Sequence, residues 1–265
     1  MNYLDDLKLL QEAALKVGPL IMNYFGTDMV VETKAHAGFS PVTIADKEAD
    51  QFLHDFLTAA RPNYGWLSEE IEDNTDRLDK ECVFIVDPID GTKPFIKGEP
   101  EFTVSIAIVR NGKPIVGVVY NPAKKQMYAG AKGEGLTFNG EKVNANAGVK
   151  SLKEQECLVS QSEMNRGLWV PYEGEFSMKP IGSIAYKLAI VAAGQSDFMV
   201  TLCPKSEWDC AAGHVLCVEA GLKVTNIFGE CISYNNEMPD GTVDRMIVAS
   251  PLVYKELKDL LDLHV

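Results

Sequence analysis

Two segments near the N-terminus have the apolar spacing of amphipathic helices. Apolar side chains recur every three or four residues from Leu4 onward, which predicts a first helix capped by Asn2. The same spacing follows Thr43, where a second helix is predicted to begin with a buried stripe that reaches Leu57. Residues 27–42 lie between these helices, contain glycine and proline, and are predicted to be extended and mobile.

The strongest strand pattern is the run Val83–Val86, which is followed directly by Asp87. A short continuous apolar run rich in β-branched residues is typical of a strand covered on both faces. Pro88 has no N–H to donate to a neighbouring strand, so the strand is predicted to stop there. Asp90 and Gly91 follow, and the glycine allows a sharp turn or a close approach to a ligand. Two carboxylates are therefore expected at the end of a rigid strand.

Beyond this strand, apolar runs separated by turn dipeptides predict an antiparallel meander. Strands are expected at 102–109, 115–120 and 126–131, because Asn-Gly and Asn-Pro pairs separate them. Near residue 150 the pattern changes to alternating helices and strands. The predicted helices are 184–193, 208–220 and 252–261, and the predicted strands are 158–160, 197–201, 222–226 and 245–249. We therefore predict an α+β protein with an N-terminal lobe over 1–150 and a C-terminal α/β lobe over 151–265.

Composition narrows the class of protein and its partners. The chain has 265 residues, of which 46% are hydrophobic and 24% charged, as in an ordinary globular enzyme. A net charge of −13 argues against binding nucleic-acid polymers or anionic membranes through charge. The acidic, amphipathic N-terminus is unlike a signal peptide, and we expect a cytoplasmic protein. Six scattered cysteines without a CxxC pair are expected to be reduced thiols.

Four acidic residues stand where regular elements are predicted to begin or end: Glu69, Asp87, Asp90 and Asp209. Carboxylates as close as Asp87 and Asp90 repel each other unless a positive charge lies between them, and all-oxygen ligands suit Mg²⁺ or Mn²⁺. Each acid also has a structural explanation, because Asp87 and Asp90 could cap turn amides and Asp209 could complement a helix dipole. Asp46 could likewise cap the second helix through a capping box. Since rigid element ends are where α/β proteins build sites, the four acids together favour a metal site.

A second set of possible metal ligands consists of Cys210, His214 and Cys217, which lie on one face of a predicted helix. Their neighbours in the sequence are mostly alanine, valine and leucine. Cysteine and histidine in such surroundings are more typical of a packed core than of a zinc site.

Three segments resemble the signature sequences of the inositol monophosphatase superfamily. They are WLSEE at 66–70, DPIDGT at 87–92 and WDCAAGHVLCVEAG at 208–221, and they occur in the family's order. The resemblance covers nearly the whole chain. It implies a layered α-β-α-β-α sandwich, a Mg²⁺-dependent phosphomonoesterase activity, lithium sensitivity and a homodimer, with the C-terminal lobe completing the substrate pocket.

The resemblance also implies roles for individual residues. The implied metal ligands are the backbone carbonyl of Ile89 and the side chains of Glu69, Asp87, Asp90 and Asp209. Asp46 and Thr92 would activate the attacking water, and Glu70 would support the metal site. The N–H groups of Gly91 and Thr92 would hold phosphate oxygens. Two or three Mg²⁺ ions would bind, with Mn²⁺ as a substitute and with Ca²⁺ and Li⁺ as inhibitors.

The substrate is expected to be a small phosphorylated metabolite, contacted by Lys93, Gly182 and Ser183. Lys93, EFTV at 101–104 and GHVL at 213–216 resemble the 3'(2'),5'-bisphosphate nucleotidase branch, called CysQ in bacteria, which converts adenosine 3',5'-bisphosphate to AMP. The segment 138–140 resembles inositol monophosphatases equally well, and histidinol phosphatase is a third alternative. Lys93 could also be an ordinary solvated lysine.

A regulatory metal-binding protein without turnover is the alternative outside the enzymes. The acids alone would allow it. The pair Asp46 and Thr92 argues against it, because a storage site needs no groups that activate water.

Overall fold

The structure is a computed structural model that describes residues 3–27, 31–34, 40–143, 151–237 and 242–263. The predicted cap Asn2 and the predicted lobe boundary near residue 150 lie outside these residues, so the division into two lobes stays a prediction.

The first half of the chain forms all seven strands of one large sheet and two of the helices that cover it. Its elements are α1 (Tyr3–Met22), β1 (Val31–Lys34), β2 (Ser40–Thr43), α2 (Ile44–Ala60), β3 (Gly65–Ser68), β4 (Cys82–Asp90), α3 (Thr92–Ile96), β5 (Thr103–Arg110), β6 (Lys113–Asn121), β7 (Gln126–Ala131), β8 (Gly135–Phe138) and β9 (Glu141–Lys142).

The second half alternates strands and helices, as predicted. Its elements are β10 (Glu156–Ser160), α4 (Gln161–Asn165), β11 (Ser177–Ile181), α5 (Ile184–Ala192), β12 (Phe198–Thr201), α6 (Glu207–Glu219), β13 (Lys223–Asn226), β14 (Met246–Ala249) and α7 (Pro251–Asp262). The strand β11 was not predicted, because its sequence SMKPI is largely polar and exposed.

The large sheet has seven strands in the order β3-β4-β5-β6-β7-β8-β9. Only β3 and β4 pair in parallel, and the remaining neighbours are antiparallel. Side chains alternate across it: Phe84 and Val86 pack with α1 and α2, whereas Val83 and Ile85 pack with α5 and α6. The central strand is thus covered on both faces, as its continuous apolar run predicts.

The second sheet has five strands in the order β11-β10-β12-β14-β13. Leu158, Met199 and Val248 on one face share a core with α5 and α6. Val159 and Val200 on the other face pack with α7. The succession of helices, large sheet, helices, small sheet and helix confirms the predicted layered α-β-α-β-α sandwich. No helix in the described part of the chain is both long and apolar enough to cross a membrane.

The close seating of α6 on the large sheet depends on Gly117 in β6. A Cβ atom at this position would collide with the backbone carbonyl of Ala212 in α6. Because Gly117 has no side chain, α6, which carries Asp209, can approach the sheet whose strand β4 carries Asp87 and Asp90.

One local prediction needs correction. The strand β4 does not stop at Pro88 but continues to Asp90 through a shift in register between Asp87 and Asp90, where the missing proline N–H is tolerated. The antiparallel pairing of β1 and β2 confirms the extended backbone predicted for the described part of the segment 27–42. The segment between β3 and β4 carries a buried charge, because Arg77 is 1% exposed.

Arg77 ties this loop to the second half of the chain. Its guanidinium donates to Asp73 Oδ2 at 2.7 Å and to Asn235 Oδ1 at 2.6 Å. A buried arginine requires such partners, since an unpaired charge inside a protein is strongly destabilising.

Candidate metal centre and active-site cleft

The end of β4 and the first turn of α6 bring three acids together. One carboxylate oxygen from each of Asp87, Asp90 and Asp209 lies within 4.8 Å of the others. Asp87 and Asp90 are buried, and Asp209 is partly buried. In the described ranges of the chain, no other group of three acids, histidines or cysteines is this close.

The three acids destabilise each other's charge. Burial, followed by the charges of Glu69 and Asp90, raises the pKa of Asp87 well above its usual value. Burial, followed by the charges of Asp90 and Glu69, does the same to the pKa of Asp209. A divalent cation with oxygen ligands relieves this kind of repulsion. The donor set and its electrostatics therefore fit Mg²⁺ or Mn²⁺.

Asp90 is held from behind by the N-terminus of α5. Its Oδ2 accepts hydrogen bonds from Ser183 Oγ and from the backbone N–H of Ala185, both at 2.5 Å. Burial raises the pKa of Asp90, and these two hydrogen bonds oppose the shift. Ser183 also caps α5 by accepting from the N–H of Tyr186 at 2.9 Å.

Ser183 is fully buried and does not line the cleft, so the substrate contact predicted for it stays a prediction. Gly182 does line the cleft, and its N–H donates to Glu101 Oε2 at 3.0 Å. A Cβ atom at Gly182 would lie 2.5 Å from Pro94 Cγ. Glycine therefore lets this part of the second half pack against α3, the short helix that follows β4.

Glu69 and Glu70 follow the end of β3 and both line the cleft. The N–H of Glu69 donates to the carbonyl of Val86 at 3.2 Å, which extends the parallel pairing of β3 and β4 by one residue. Glu69 is not one of the three tightly grouped acids, but its charge raises the pKa of both Asp87 and Asp209. The structure therefore places Glu69 beside the acid group.

The two carboxylate oxygens of Asp46 make contacts with two different residues. Its Oδ2 accepts from the N–H and Oγ1 of Thr43 at 2.8 and 2.6 Å, which confirms the predicted capping box. Its Oδ1 lies 3.4 Å from Thr92 Oγ1, which also lies 3.2 Å from the carbonyl of Ile89. The capping interpretation and the predicted pairing with Thr92 are therefore compatible, because they use different oxygens.

Gly91 gives the strand end its sharp turn. Its φ is 100°, and a Cβ atom there would lie 2.7 Å from the carbonyl oxygen of Glu101. Gly91 and Thr92 line the cleft, as the predicted phosphate-binding role requires, and Lys93 is an exposed residue in the same wall.

These residues line one cleft of about 1060 Å³ that contains contributions from both halves of the chain. The acid group and the loop after β4 form one wall. Ser160, Gln161, Asn165 and Ile181 from the second half form the other. A cavity of this size accommodates a nucleotide or a phosphorylated sugar.

Comparison with known proteins places this geometry in a family. Residues 4–262 match the inositol monophosphatase family. The chain belongs to that family. It is therefore a phosphoric monoester hydrolase.

Individual relatives cover most of the chain. The 3'(2'),5'-bisphosphate nucleotidase CysQ of Escherichia coli is 34% identical over 227 residues, which are 84% of this chain and 91% of the relative. A fructose-1,6-bisphosphatase/inositol-1-monophosphatase of Thermotoga maritima is 36% identical over 242 residues, 87% of each chain. The crystal structure of the suhB protein of Bartonella henselae is 29% identical, with a TM-score of 0.86 over 98% of this chain and 100% of the other.

In this member of the inositol monophosphatase family, a buried lysine behind the cleft was missed from the sequence. Lys187 is fully buried, and its ammonium donates to Ser160 Oγ at 3.2 Å and to the carbonyl of Ile181 at 3.0 Å. Burial lowers the pKa of Lys187 to about 8, and the charge of Asp90 opposes the shift. Its signal in the sequence is a lone charged residue in the otherwise apolar or aromatic helix α5.

Cys210, His214 and Cys217, which the sequence offered as possible zinc ligands, lie in or beside the core. Cys210 and Cys217 are fully buried, and Cys217 Sγ contacts the carbonyl of Leu188 at 3.3 Å. His214 Nδ1 pairs with Tyr234 Oη at 2.9 Å. The burial of Cys210 and Cys217 confirms that these two are core residues, and His214 is partly buried.

Proposed function

We propose that this protein is a Mg²⁺-dependent phosphomonoesterase of a small phosphorylated metabolite, foremost a 3'(2'),5'-bisphosphate nucleotidase. The observation that supports it most is the meeting of Asp87, Asp90 and Asp209 in one cleft with Thr92, whose hydroxyl lies 3.4 Å from Asp46 Oδ1. A binding protein without turnover would need the acids but not that pair.

Each residue has a distinct task in this proposal. The three aspartates and Glu69, with the carbonyl of Ile89, would hold two or three Mg²⁺ ions, with Glu70 in support. When bound, the metal supplies positive charge to the phosphoryl oxygens and lowers the pKa of a bound water. Thr92 Oγ1 accepts a proton from the attacking water as its own hydroxyl proton passes to the carboxylate of Asp46, which also orients it. The N–H groups of Gly91 and Thr92 bind phosphate oxygens.

The preference for a nucleoside bisphosphate is supported by the relative named CysQ and by Lys93, whose cation lies in the cleft wall. The relative named fructose-1,6-bisphosphatase/inositol-1-monophosphatase supports inositol or sugar phosphates as the second candidate. Gly182 would contact the leaving group from the opposite wall.

A panel of phosphate esters tests the proposal. We expect kcat/KM in Mg²⁺ to be highest for adenosine 3',5'-bisphosphate, with inositol 1-phosphate, fructose 1,6-bisphosphate and histidinol phosphate compared at equal concentration. Highest activity on inositol 1-phosphate would replace the first candidate by the second. No hydrolysis of any ester, together with tight Mg²⁺ binding, would favour the regulatory protein.

The activity is expected to depend on a divalent cation. Activity should vanish in EDTA and return with Mg²⁺ or Mn²⁺, because the acid group repels a phosphate dianion unless a cation neutralises it. Ca²⁺ and Li⁺ are expected to inhibit in the presence of Mg²⁺, Ca²⁺ because it is larger and less strict in geometry. Phosphate release assays measure both effects, and full activity in EDTA would contradict the mechanism.

We also infer a cytoplasmic homodimer. Dimerisation is common among enzymes of this family, and free thiols at all six cysteines are typical of a reducing compartment. Light scattering of the purified protein and fractionation of cells test the two inferences separately.

A further inference from the structure

The helix α2 carries a second buried acid, one turn after Asp46. Asp50 is fully buried, and its Oδ2 accepts a hydrogen bond from Ser68 Oγ at 2.6 Å. Its Oδ1 has no hydrogen-bond partner within the described part of the chain. Burial raises the pKa of Asp50 to about 6, and hydrogen bonds from Ser68 and from the backbone of Ile71 and Glu70 oppose the shift. Because a buried, half-satisfied carboxylate destabilises a fold, packing alone does not account for an acid here.

The hydroxyl of Ser68 connects several parts of the turn after β3. It donates to Asp50 and accepts from Trp66 Nε1 at 3.0 Å and from the N–H of Ile71 at 3.3 Å. The bond from Ile71 closes a turn whose two central residues are Glu69 and Glu70. Ser68 therefore fixes both ends of the Glu69–Glu70 pair.

A carboxylate at position 50 determines the direction of these hydrogen bonds. A charged carboxylate can only accept, so the single proton of the Ser68 hydroxyl must point at Asp50. The lone pairs of Ser68 then face the donors of Trp66 and Ile71. An amide at position 50 could donate to Ser68 instead, which would turn the hydroxyl away and release one of the other two contacts.

The turn fixed in this way presents Glu69 to the acid group. The N–H of Glu69 is paired with Val86 in β4, the strand that ends in Asp87 and Asp90. The position of Glu69 relative to those aspartates is thus set on one side by the sheet and on the other by Ser68.

We propose that Asp50 is a positioning residue for the metal centre, acting through the hydroxyl of Ser68 on the Glu69–Glu70 turn. This inference rests on the proposed metal-dependent function. Groups that orient metal ligands typically change metal affinity by about 10- to 100-fold when they are removed. Asp50 would therefore affect metal affinity rather than the proton transfer at Thr92.

The test measures Mn²⁺ binding to metal-free protein by electron paramagnetic resonance of the free ion, without substrate. Ser68→Thr and Ser68→Val form a matched pair, because Thr and Val have nearly the same shape and only Thr keeps the hydroxyl. We expect Ser68→Thr to bind Mn²⁺ like the wild type, and Ser68→Val and Asp50→Asn to bind it about 10-fold more weakly or worse. In assays, the two weak variants should need more Mg²⁺ for half-maximal activity, while kcat at saturating Mg²⁺ falls much less.

Asp6→Asn provides the control for loss of a buried aspartate. Asp6 is 2% exposed, lies on α1 and pairs with Arg61 Nη2 at 2.8 Å. Its replacement should lower the melting temperature and leave Mn²⁺ affinity unchanged.

Three results would overturn the inference. The first is wild-type Mn²⁺ affinity in folded Ser68→Val or Asp50→Asn. The second is an equal loss of affinity in Ser68→Thr and Ser68→Val, which would assign the effect to shape rather than to the hydroxyl. The third is a wild-type protein that binds no Mn²⁺ or Mg²⁺, and only this result would also remove the proposed function.

Discussion

Asp90→Asn is expected to lower kcat/KM by about 10²- to 10³-fold while the protein still folds. A metal-bound charge contributes several kcal/mol to transition-state stabilisation, and about 1.4 kcal/mol corresponds to a factor of ten in rate. Asn has nearly the volume of Asp, and its carbonyl oxygen can accept from Ser183 and Ala185, as Asp90 Oδ2 does. The amide NH₂ would then face the metal site, where a donor cannot bind a cation.

The same variant has a predicted effect on stability. The pKa of Asp90 is raised in the folded protein, so the charged carboxylate destabilises the metal-free fold at neutral pH. Metal-free Asp90→Asn should therefore melt at a higher temperature than the wild type at pH 7. The wild type gains stability as the pH falls through the raised pKa values of the acid group, so the difference should shrink towards acid pH.

Steady-state kinetics and thermal melts with and without Mg²⁺ measure these effects. A ligand that binds the folded state stabilises it. Saturating Mg²⁺ should therefore raise the melting temperature of the wild type more than that of the variant, whose metal site has lost one ligand charge. Wild-type turnover in folded Asp90→Asn would mean that Asp90 only shapes the end of β4.

Asp46→Asn and Thr92→Val are expected to reduce kcat by about 10²- to 10⁴-fold, the usual range for general acid–base catalysis. An Asn at position 46 can keep the capping box, because its carbonyl oxygen can accept from Thr43 as Asp46 Oδ2 does. Its NH₂ would then face Thr92 and donate where Asp46 accepts. Thr92→Val removes the hydroxyl and keeps the shape.

The double variant distinguishes a joint role from two separate ones. If Asp46 and Thr92 act as a unit, the double variant should be little slower than either single variant. Melting temperatures should change little, since a cap is worth only about 1 kcal/mol. Glu154→Gln is the control, because Glu154 completes a similar capping box with Ser151 in a different part of the fold. Losses of kcat that multiply in the double variant would exclude the proposed relay.

Local sequence signals predicted those parts of the fold that depend on near neighbours. Asn111 and Asn139 take positive φ values of 49° in the hairpin turns, each followed by a glycine with positive φ, as Asn-Gly pairs predict. The capping box of Asp46 was also predicted, because it involves residues three apart.

The predicted placement of acids at element ends was sufficient to find the candidate site. Asp87 and Asp90 follow from a strand that ends in polar residues. Asp209 was included because it stands where a helix is predicted to begin, and the structure brings it to the other two.

Other features depend on contacts between residues that are far apart in the sequence. Pro88 remains inside β4 because the pairing with β5 shifts around it. Arg77 is buried because a loop from the second half supplies Asn235. The sequence pattern alone marks both positions as strand breaking or solvated.

The sequence by itself thus determined most of the elements, the capping box of the second helix and the acids at the element ends. Tertiary structure decided which side chains support those acids: Ser183 behind Asp90, Ser68 and Asp50 beside Glu69, and Lys187 beneath the cleft. The physical reason is that periodicity reports only whether a side chain faces the core. The partner it meets there depends on how the layers of helices and sheets pack against each other.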